Sequence, residues 1–135
     1  MSLSWETQYQ LGIKVIDEQH KAFIDALNEL INSLNSTSGY EYIGQNVLPK
    51  IYEYANNHFA TEEKYFDEFN YEGTEEHKSE HSRFKQKLTE IADLYMTNKM
   101  EASFDLADFL EDWLLDHIAN MDKKYVDCFH QHGLY

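Results

Sequence analysis

The fold is decided by residues 48–69, which read LPKIYEYANNHFATEEKYFDEF. Apolar side chains in this stretch recur three and four residues apart, the spacing that places them on one face of an α-helix. His58 and Glu62 lie on that same face, one helical turn apart. Because an imidazole and a carboxylate are costly to bury unless something binds them, the stretch predicts a helix that turns potential ligands toward a core.

Three more stretches have the same period, and together they predict four helices with short connections. The predicted helices are 17–35, with Asp17 as N-cap; about 42–69, with a kink or a late start at Pro49; 74–95, with Thr74 as N-cap; and about 103–131. Breaks are predicted at residues 35–39, 70–73 and 97–101. This pattern favours an all-α fold, an up-down-up-down four-helix bundle.

Residues 1–16 carry few helix signals, and we expect them to form an extended N-terminal arm that packs over the bundle. The apolar side chains of this arm are Trp5, Leu11, Ile13, Val15 and Ile16. Residues 1–135 are predicted to form one domain, because a chain of 135 residues that is 42% hydrophobic suits a single core. We find no repeat and no second domain in the pattern.

The net charge of −14 bounds the possible partners. Such a charge argues against nucleic acid or an anionic membrane as the main partner, since both attract basic surfaces. No apolar run is long enough to span a bilayer, and the first residues lack a basic region followed by an apolar stretch. A cytoplasmic location is the resulting expectation. Cys128 is the only cysteine, so no disulfide within the chain is expected.

Polar side chains are predicted to face inward from all four helices. They are His20, His58, Glu62, His77, His81 and His117. A single histidine on an apolar face is most often a core residue with one hydrogen bond, but the joint pattern leaves many polar nitrogens to satisfy. With Asp122 added, five imidazoles and two carboxylates exceed what one tetrahedral zinc ion uses, and they suit two first-row ions bridged by carboxylates.

Asp122 is a weaker candidate on spacing alone. It follows His117 by five residues, which is about 140° around an ordinary α-helix. It could therefore reach a bridging position from the side, or be a solvated neighbour of Lys123 and Lys124.

A rival motif overlaps the same residues. Residues 77–81, HKSEH, match the inverted zinc-peptidase pattern H-x-x-E-H, in which Glu80 would be the general base. Glu80 could equally be one charge of a solvated helix face. The peptidase interpretation leaves four inward groups unexplained: His20, His58, Glu62 and His117.

With these residues placed, the chain resembles the hemerythrin family, in particular its single-domain bacterial branch. The resemblance covers nearly the whole chain. It is carried by Trp5 and by residues 11–13 (LGI), 16–20 (IDEQH), 58–63 (HFATEE), 76–81 (EHKSEH), 113–118 (WLLDHI) and 122–125 (DKKY).

The resemblance implies a diiron centre with a solvent-derived oxygen bridge. One iron would be held by His77, His81 and His117. The other would be held by His20 and His58, with one position left open for O2. Glu62 and Asp122 would bridge the two irons, so the resemblance assigns the residue that spacing leaves open.

The resemblance also implies a dry pocket beside the open position. Phe23, Phe59, Trp113 and Ile118 lie within a turn of the ligands and are expected to form its wall. Tyr125 matches a family tyrosine near the site. Each of these side chains could also be plain core.

The expected function is reversible O2 binding for storage, transport or scavenging, and the chain is expected not to be an enzyme. No acid or base is predicted to point at the open position, which favours binding over turnover. One alternative is an O2 or redox sensor that acts through a separate protein partner. Another is a diiron enzyme that handles NO or peroxide, which catalytic turnover with a reductant would identify. Metal analysis would identify the zinc peptidase.

Overall fold

The computed structural model describes residues 9–135, and the described residues form helices and turns without a strand. The elements are α1 (Lys14–Asn32), α2 (Thr37–Tyr42), a π-helical segment (Ile43–Val47), α3 (Leu48–Glu68), α4 (Thr74–Tyr95), α5 (Lys99–Asp112), a second π-helical segment (Trp113–Met121), a 3₁₀ turn (Asp122–Tyr125) and α6 (Val126–Gln131). No helix within residues 9–135 is both long enough and apolar enough to cross a membrane.

These elements make four helical rods, two of which are composite. Helix α1 packs against α3 and α5, α3 packs against α4, and α4 packs against α5. Because short turns join consecutive rods, neighbours in this ring run in opposite directions. The predicted all-α, four-helix bundle is confirmed.

The start of the first helix differs from the prediction. Helix α1 begins at Lys14, so Val15 and Ile16 are helical and do not belong to an arm. Asp17 is therefore not the N-cap. Its carboxylate instead accepts hydrogen bonds from the backbone amides of Leu11 and Gly12, at 2.8 and 3.1 Å, and holds the incoming segment against the helix. The predicted arm residue Trp5 lies outside the described residues.

The second rod starts earlier than predicted. Ser36 is the N-cap of α2 and accepts a hydrogen bond from the Gly39 amide at 3.0 Å, so residues 37–39 are helical and only residues 33–36 form the break. Pro49 does not delay the helix. It lies in the first turn of α3, directly after the π-helical segment Ile43–Val47, which takes up the irregularity that a proline imposes on the preceding turn.

The caps of the last two rods also correct the prediction. Gly73 is the N-cap of α4, and the Thr74 hydroxyl donates to the Tyr71 carbonyl instead of capping the helix. Helix α5 begins four residues before the predicted Ser103. Asn98 starts it with a reciprocal cap, because its side chain accepts from the Glu101 amide at 3.0 Å and donates to the Glu101 carboxylate at 3.2 Å.

The core consists of two hydrophobic clusters. The larger cluster fills the middle of the bundle and includes Phe23, Phe59, Trp113 and Ile118. The smaller cluster joins the segment before α1 to the last helical turns, and its buried members are Leu11, Ile13, Ile16, Phe66, Tyr125 and Phe129. Histidine rings contact both clusters, since His81 stacks on Phe59 of the larger one and on Phe66 of the smaller one. The inward polar groups therefore lie between the two clusters.

Gly44 provides a test of the packing around the first π-helical segment. A Cβ at this position would overlap the ring of Tyr95, whose hydroxyl donates to the Tyr40 carbonyl at 2.8 Å. We expect Gly44→Ala to cost about 1–3 kcal/mol of unfolding free energy, because the ring cannot move without losing that contact. Thermal unfolding followed by circular dichroism measures the change. The exposed control Ser79→Ala should melt like the unmodified protein, and an equal melting temperature for Gly44→Ala would contradict the packing.

Candidate metal centre

The structure brings all seven predicted ligand side chains together, and each is at most 3% exposed. They form two groups, and within each group the potential ligand atoms all lie within 4.8 Å of one another. The first group is Glu62, His77, His81 and His117, and the second is His20, His58 and Asp122. Buried titratable groups at this density require binding partners, because burial without them is costly.

Ordinary helical spacing positions most of these side chains. His58 and Glu62 lie one turn apart on α3, and His77 and His81 lie one turn apart on α4. Each pair therefore points in one direction. His20 extends from α1 toward the same point.

Asp122 reaches the site through an unusual helix. His117 lies in the π-helical segment, and the Asp122 amide donates to the His117 carbonyl, a hydrogen bond between residues five apart. Residues five apart share a face in a π-helix, unlike in an α-helix. This geometry overturns the assumption of an ordinary turn that left Asp122 doubtful in the sequence.

The ligand atoms are spaced as they would be around metal ions. The Nε2 atoms of His77 and His117 are 3.1 Å apart, and those of His20 and His58 are 3.2 Å apart. His81 Nε2 lies 3.0 Å from Glu62 Oε1. Adjacent ligand atoms around an octahedral ion with bonds of about 2.1 Å are about 3.0 Å apart. The separations therefore match ligands that share an ion.

Each carboxylate contacts both histidine groups. Asp122 Oδ1 lies 2.9 Å from His77 Nε2 and 3.0 Å from His117 Nε2, while its Oδ2 lies 3.0 Å from His20 Nε2. Glu62 Oε1 lies 3.0 Å from His81 Nε2 and 3.3 Å from His58 Nε2. A carboxylate in such a position can join two cations.

The carboxylate oxygens show that the protein alone does not satisfy this site. Among the described residues, both oxygens of Asp122 and Glu62 Oε2 are buried without a hydrogen-bond partner. The Asp122 oxygens face the Nε2 atoms of His20, His77 and His117 at 2.9–3.0 Å. Atoms that converge on a common point in this way fit a cation between them, so the residues present fit a pair of first-row metal ions.

Burial and mutual charge set the protonation of the site. Burial lowers the pKa of His58 to about 4, against the attraction of Glu62, so this imidazole is neutral. Burial alone would raise the pKa of Asp122, but the imidazoles of His117, His20 and His77 hold it well below its ordinary value. Neutral imidazole and ionised carboxylate are the forms that bind metal.

Two polar residues beside the ligands are absent from the predicted set. His58 Nδ1 donates to Gln19 Oε1 at 2.5 Å, and His81 Nδ1 donates to Glu63 Oε2 at 2.7 Å. Each lies next to a ligand in sequence, Gln19 before His20 and Glu63 after Glu62. Their position next to a ligand is the sequence feature that points to them. It does not show which neighbouring side chain accepts a hydrogen bond from a histidine.

The four predicted wall residues and Tyr125 are all buried. The Phe59 ring stacks on His81 with 3.9 Å between ring centroids, and Trp113 stacks on His117 at 3.8 Å. Phe23 is one ring further out, against Tyr54, which itself stacks on His58. Tyr54 is a neighbour that the sequence reasoning missed.

Ile118 and Tyr125 lie on different sides of the centre. Ile118 belongs to the larger cluster, whereas Tyr125 belongs to the smaller one. The ring centroids of Tyr125 and His77 are 5.5 Å apart. Among the described residues the Tyr125 hydroxyl is buried without a hydrogen-bond partner. Burial, together with Glu62 and Asp122 nearby, raises the pKa of Tyr125 well above its ordinary value, so it stays a neutral donor.

The rival peptidase residue does not join the cluster. Glu80 pairs with Arg83 on the outer side of α4, and its side chain is 30% exposed. His77 and His81 of the H-x-x-E-H motif both direct Nε2 to the buried carboxylates instead. The geometry thus separates the motif's glutamate from its histidines.

Comparison with known proteins agrees with this arrangement. The family model described as the hemerythrin HHE cation binding domain matches residues 11–129. The chain is similar to the bacteriohemerythrin of Stenotrophomonas maltophilia (31% identity over 130 residues, 96% of this chain and 83% of the relative) and to that of Pseudomonas aeruginosa strain LESB58 (30% over 127 residues, 93% and 80%). It is also similar to a hemerythrin of Sipunculus nudus (31% over 121 residues, 90% and 88%). A family match across most of the chain, with a buried cluster suited to cations, shows that the chain belongs to the hemerythrin family.

Proposed function

We propose that the protein binds O2 reversibly at a centre of two non-heme iron ions, for oxygen storage, transport or scavenging. The proposal rests on one observation: the histidines are divided unequally between two groups, and both carboxylates contact both groups. His77, His81 and His117 serve one metal position, whereas His20 and His58 serve the other. The position with fewer nitrogens is left with room for a small ligand. Two ferrous ions bound here would supply the electrons that reversible O2 binding requires.

The residues around the centre suit binding rather than turnover. Phe59 and Trp113 are buried and stack on His81 and His117, so they shield two imidazoles of the three-histidine position from water. The Tyr125 hydroxyl is buried beside the ligand carboxylates of Glu62 and Asp122. It would donate a hydrogen bond toward the centre. Phe23 and Ile118 complete the apolar wall in this proposal.

Metal analysis combined with visible spectroscopy tests the proposal. We expect about two irons per chain, because seven nitrogen and oxygen ligands supply two coordination spheres. The anaerobic ferrous protein should be nearly colourless. Air should produce a visible charge-transfer band, and vacuum should remove part of it.

Other outcomes identify the other functions. Stoichiometric zinc without an oxygen-dependent band would contradict iron-based binding and favour the peptidase. Rapid turnover of NO or peroxide with a reductant would favour a diiron enzyme. A sensor would require a protein partner that distinguishes the oxygenated from the deoxygenated protein. The cytoplasmic location and the absence of nucleic-acid and membrane partners stay predictions from the charge and hydropathy of the sequence.

A further inference from the structure

Two of the five inward imidazoles make a hydrogen bond through Nδ1, the ring nitrogen that faces away from the buried carboxylates. One of these imidazoles belongs to each histidine group. His81 donates from Nδ1 to Glu63, and His58 donates from Nδ1 to Gln19. Among the described residues, the Nδ1 atoms of His20, His77 and His117 are buried without a partner. Glu63 and Gln19 therefore each hold one histidine ligand, one at each metal position.

These hydrogen bonds decide which nitrogen can bind a metal. Both rings direct Nε2 toward the buried carboxylates, so a metal ligand there needs its lone pair on Nε2 and its proton on Nδ1. An acceptor opposite Nδ1 holds that tautomer and fixes the ring plane.

The two acceptors differ in charge. Glu63 is a carboxylate, and among the described residues no lysine or arginine nitrogen lies within 4.0 Å of it. Its charge is therefore available to His81. A charged acceptor makes a stronger hydrogen bond than a neutral one and leaves the opposite ring nitrogen a better donor to metal.

The neutral acceptor, Gln19, is fixed in orientation. Its amide nitrogen donates to Thr61 Oγ1 at 3.1 Å, and the Thr61 hydroxyl in turn donates to the Asn57 carbonyl at 2.9 Å. Because the hydroxyl proton is already engaged, Thr61 can only accept from Gln19. The Gln19 oxygen is thereby left to accept from His58.

We propose that Glu63 and Gln19 are positioning residues that make the two metal positions electronically unequal. Glu63 strengthens the nitrogen donor His81 at the three-histidine position, and Gln19 leaves His58 a weaker donor at the two-histidine position. This inference rests on the metal centre of the proposed function. As a result, the metal position that is expected to bind O2 has the less electron-rich imidazole, His58.

The test measures each iron separately and without O2. Anaerobic protein loaded with ⁵⁷Fe(II) is examined by Mössbauer spectroscopy, in which irons with unlike ligand environments give separate doublets. We expect Glu63→Gln to shift one doublet and Gln19→Glu to shift the other. Fe(II) affinity is measured by competition with a chelator. Glu63→Ala should lower the affinity of one iron about 10–100-fold, and Glu63→Gln should recover most of this loss because it keeps an acceptor.

Charge-matched controls distinguish this role from a general electrostatic effect. Glu68→Gln and Gln86→Glu make the same charge changes at exposed positions on α3 and α4, and both should leave the doublets and the affinities unchanged. Unshifted doublets in the Glu63 and Gln19 variants, or wild-type affinity in Glu63→Ala, would overturn the proposal. Shifted doublets in a protein that does not bind O2 would support this inference and contradict the proposed function. Reversible O2 binding with unshifted doublets would support the proposed function and contradict this inference.

Discussion

Glu62→Ala should reduce the iron content from about two ions per chain to about one. The Glu62 carboxylate contacts His81 and His58, which belong to different groups, so its removal takes negative charge from between two cations. The loss should fall mainly on the position served by His20 and His58, which has fewer nitrogen ligands. Iron is measured per chain by elemental analysis, and the oxygen-dependent band should fall with it.

Two further variants make this result specific. Glu62→Gln keeps the side-chain volume and removes the charge, so iron loss in this variant would attribute the effect to charge rather than to a cavity. Glu80→Ala removes a carboxylate that pairs with Arg83 outside the centre, and it should keep its iron and its band. If Glu80→Ala abolished metal-dependent activity while Glu62→Ala kept two irons, the peptidase interpretation would gain.

Acidification should release iron and lower the melting temperature together. Five imidazoles must be neutral to bind metal, so protons compete with the ions as the pH falls below the unperturbed histidine pKa of about 6.5. This stabilisation is greatest at higher pH and is lost on acidification. We expect the melting temperature of the metal-loaded protein to approach that of the metal-free protein as the pH approaches 4.

The metal-free protein has a weaker pH dependence of its own. The pKa of His58 is lowered to about 4 by burial, so its contribution is present above pH 6.5 and about 3 kcal/mol is lost as the pH falls through 4. His77 acts with the opposite sign. Burial lowers its pKa, but Asp122 and Glu62 raise it by more, so protonation of His77 stabilises the fold at low pH. Calorimetry of both forms, with released iron followed by a chelator, measures the two profiles. Equal melting temperatures with one shared profile would show that metal binding is not coupled to folding.

Periodicity predicts the parts of the centre that use ordinary helical turns. His58 with Glu62, and His77 with His81, lie four residues apart, and this spacing alone gives their common direction. The bundle follows from the same pattern, since four amphipathic stretches have apolar faces to bury together. The helix ends were predicted less well, because Asp17 and Thr74 resemble caps in sequence but bind backbone groups elsewhere.

The remaining parts of the centre depend on contacts between distant segments. Asp122 depends on a π-helical turn, for which an α-helical period gives no signal. Gln19 depends on a partner on α3, Thr61, and only the packed bundle brings the two together. Family resemblance assigned Asp122, but the reason for its position required the backbone geometry.

The division of the core into two clusters affects how the molecule opens. The smaller cluster packs Leu11 and Ile13 beside Tyr125 and Phe129, and it is separate from the larger cluster. Its opening would cost less free energy than global unfolding and would expose the His77 side of the centre. Ions bound between the helices would link the two clusters through the ligand rings. We therefore expect the metal-loaded protein to unfold as one cooperative unit, and the smaller cluster of the metal-free protein to open first.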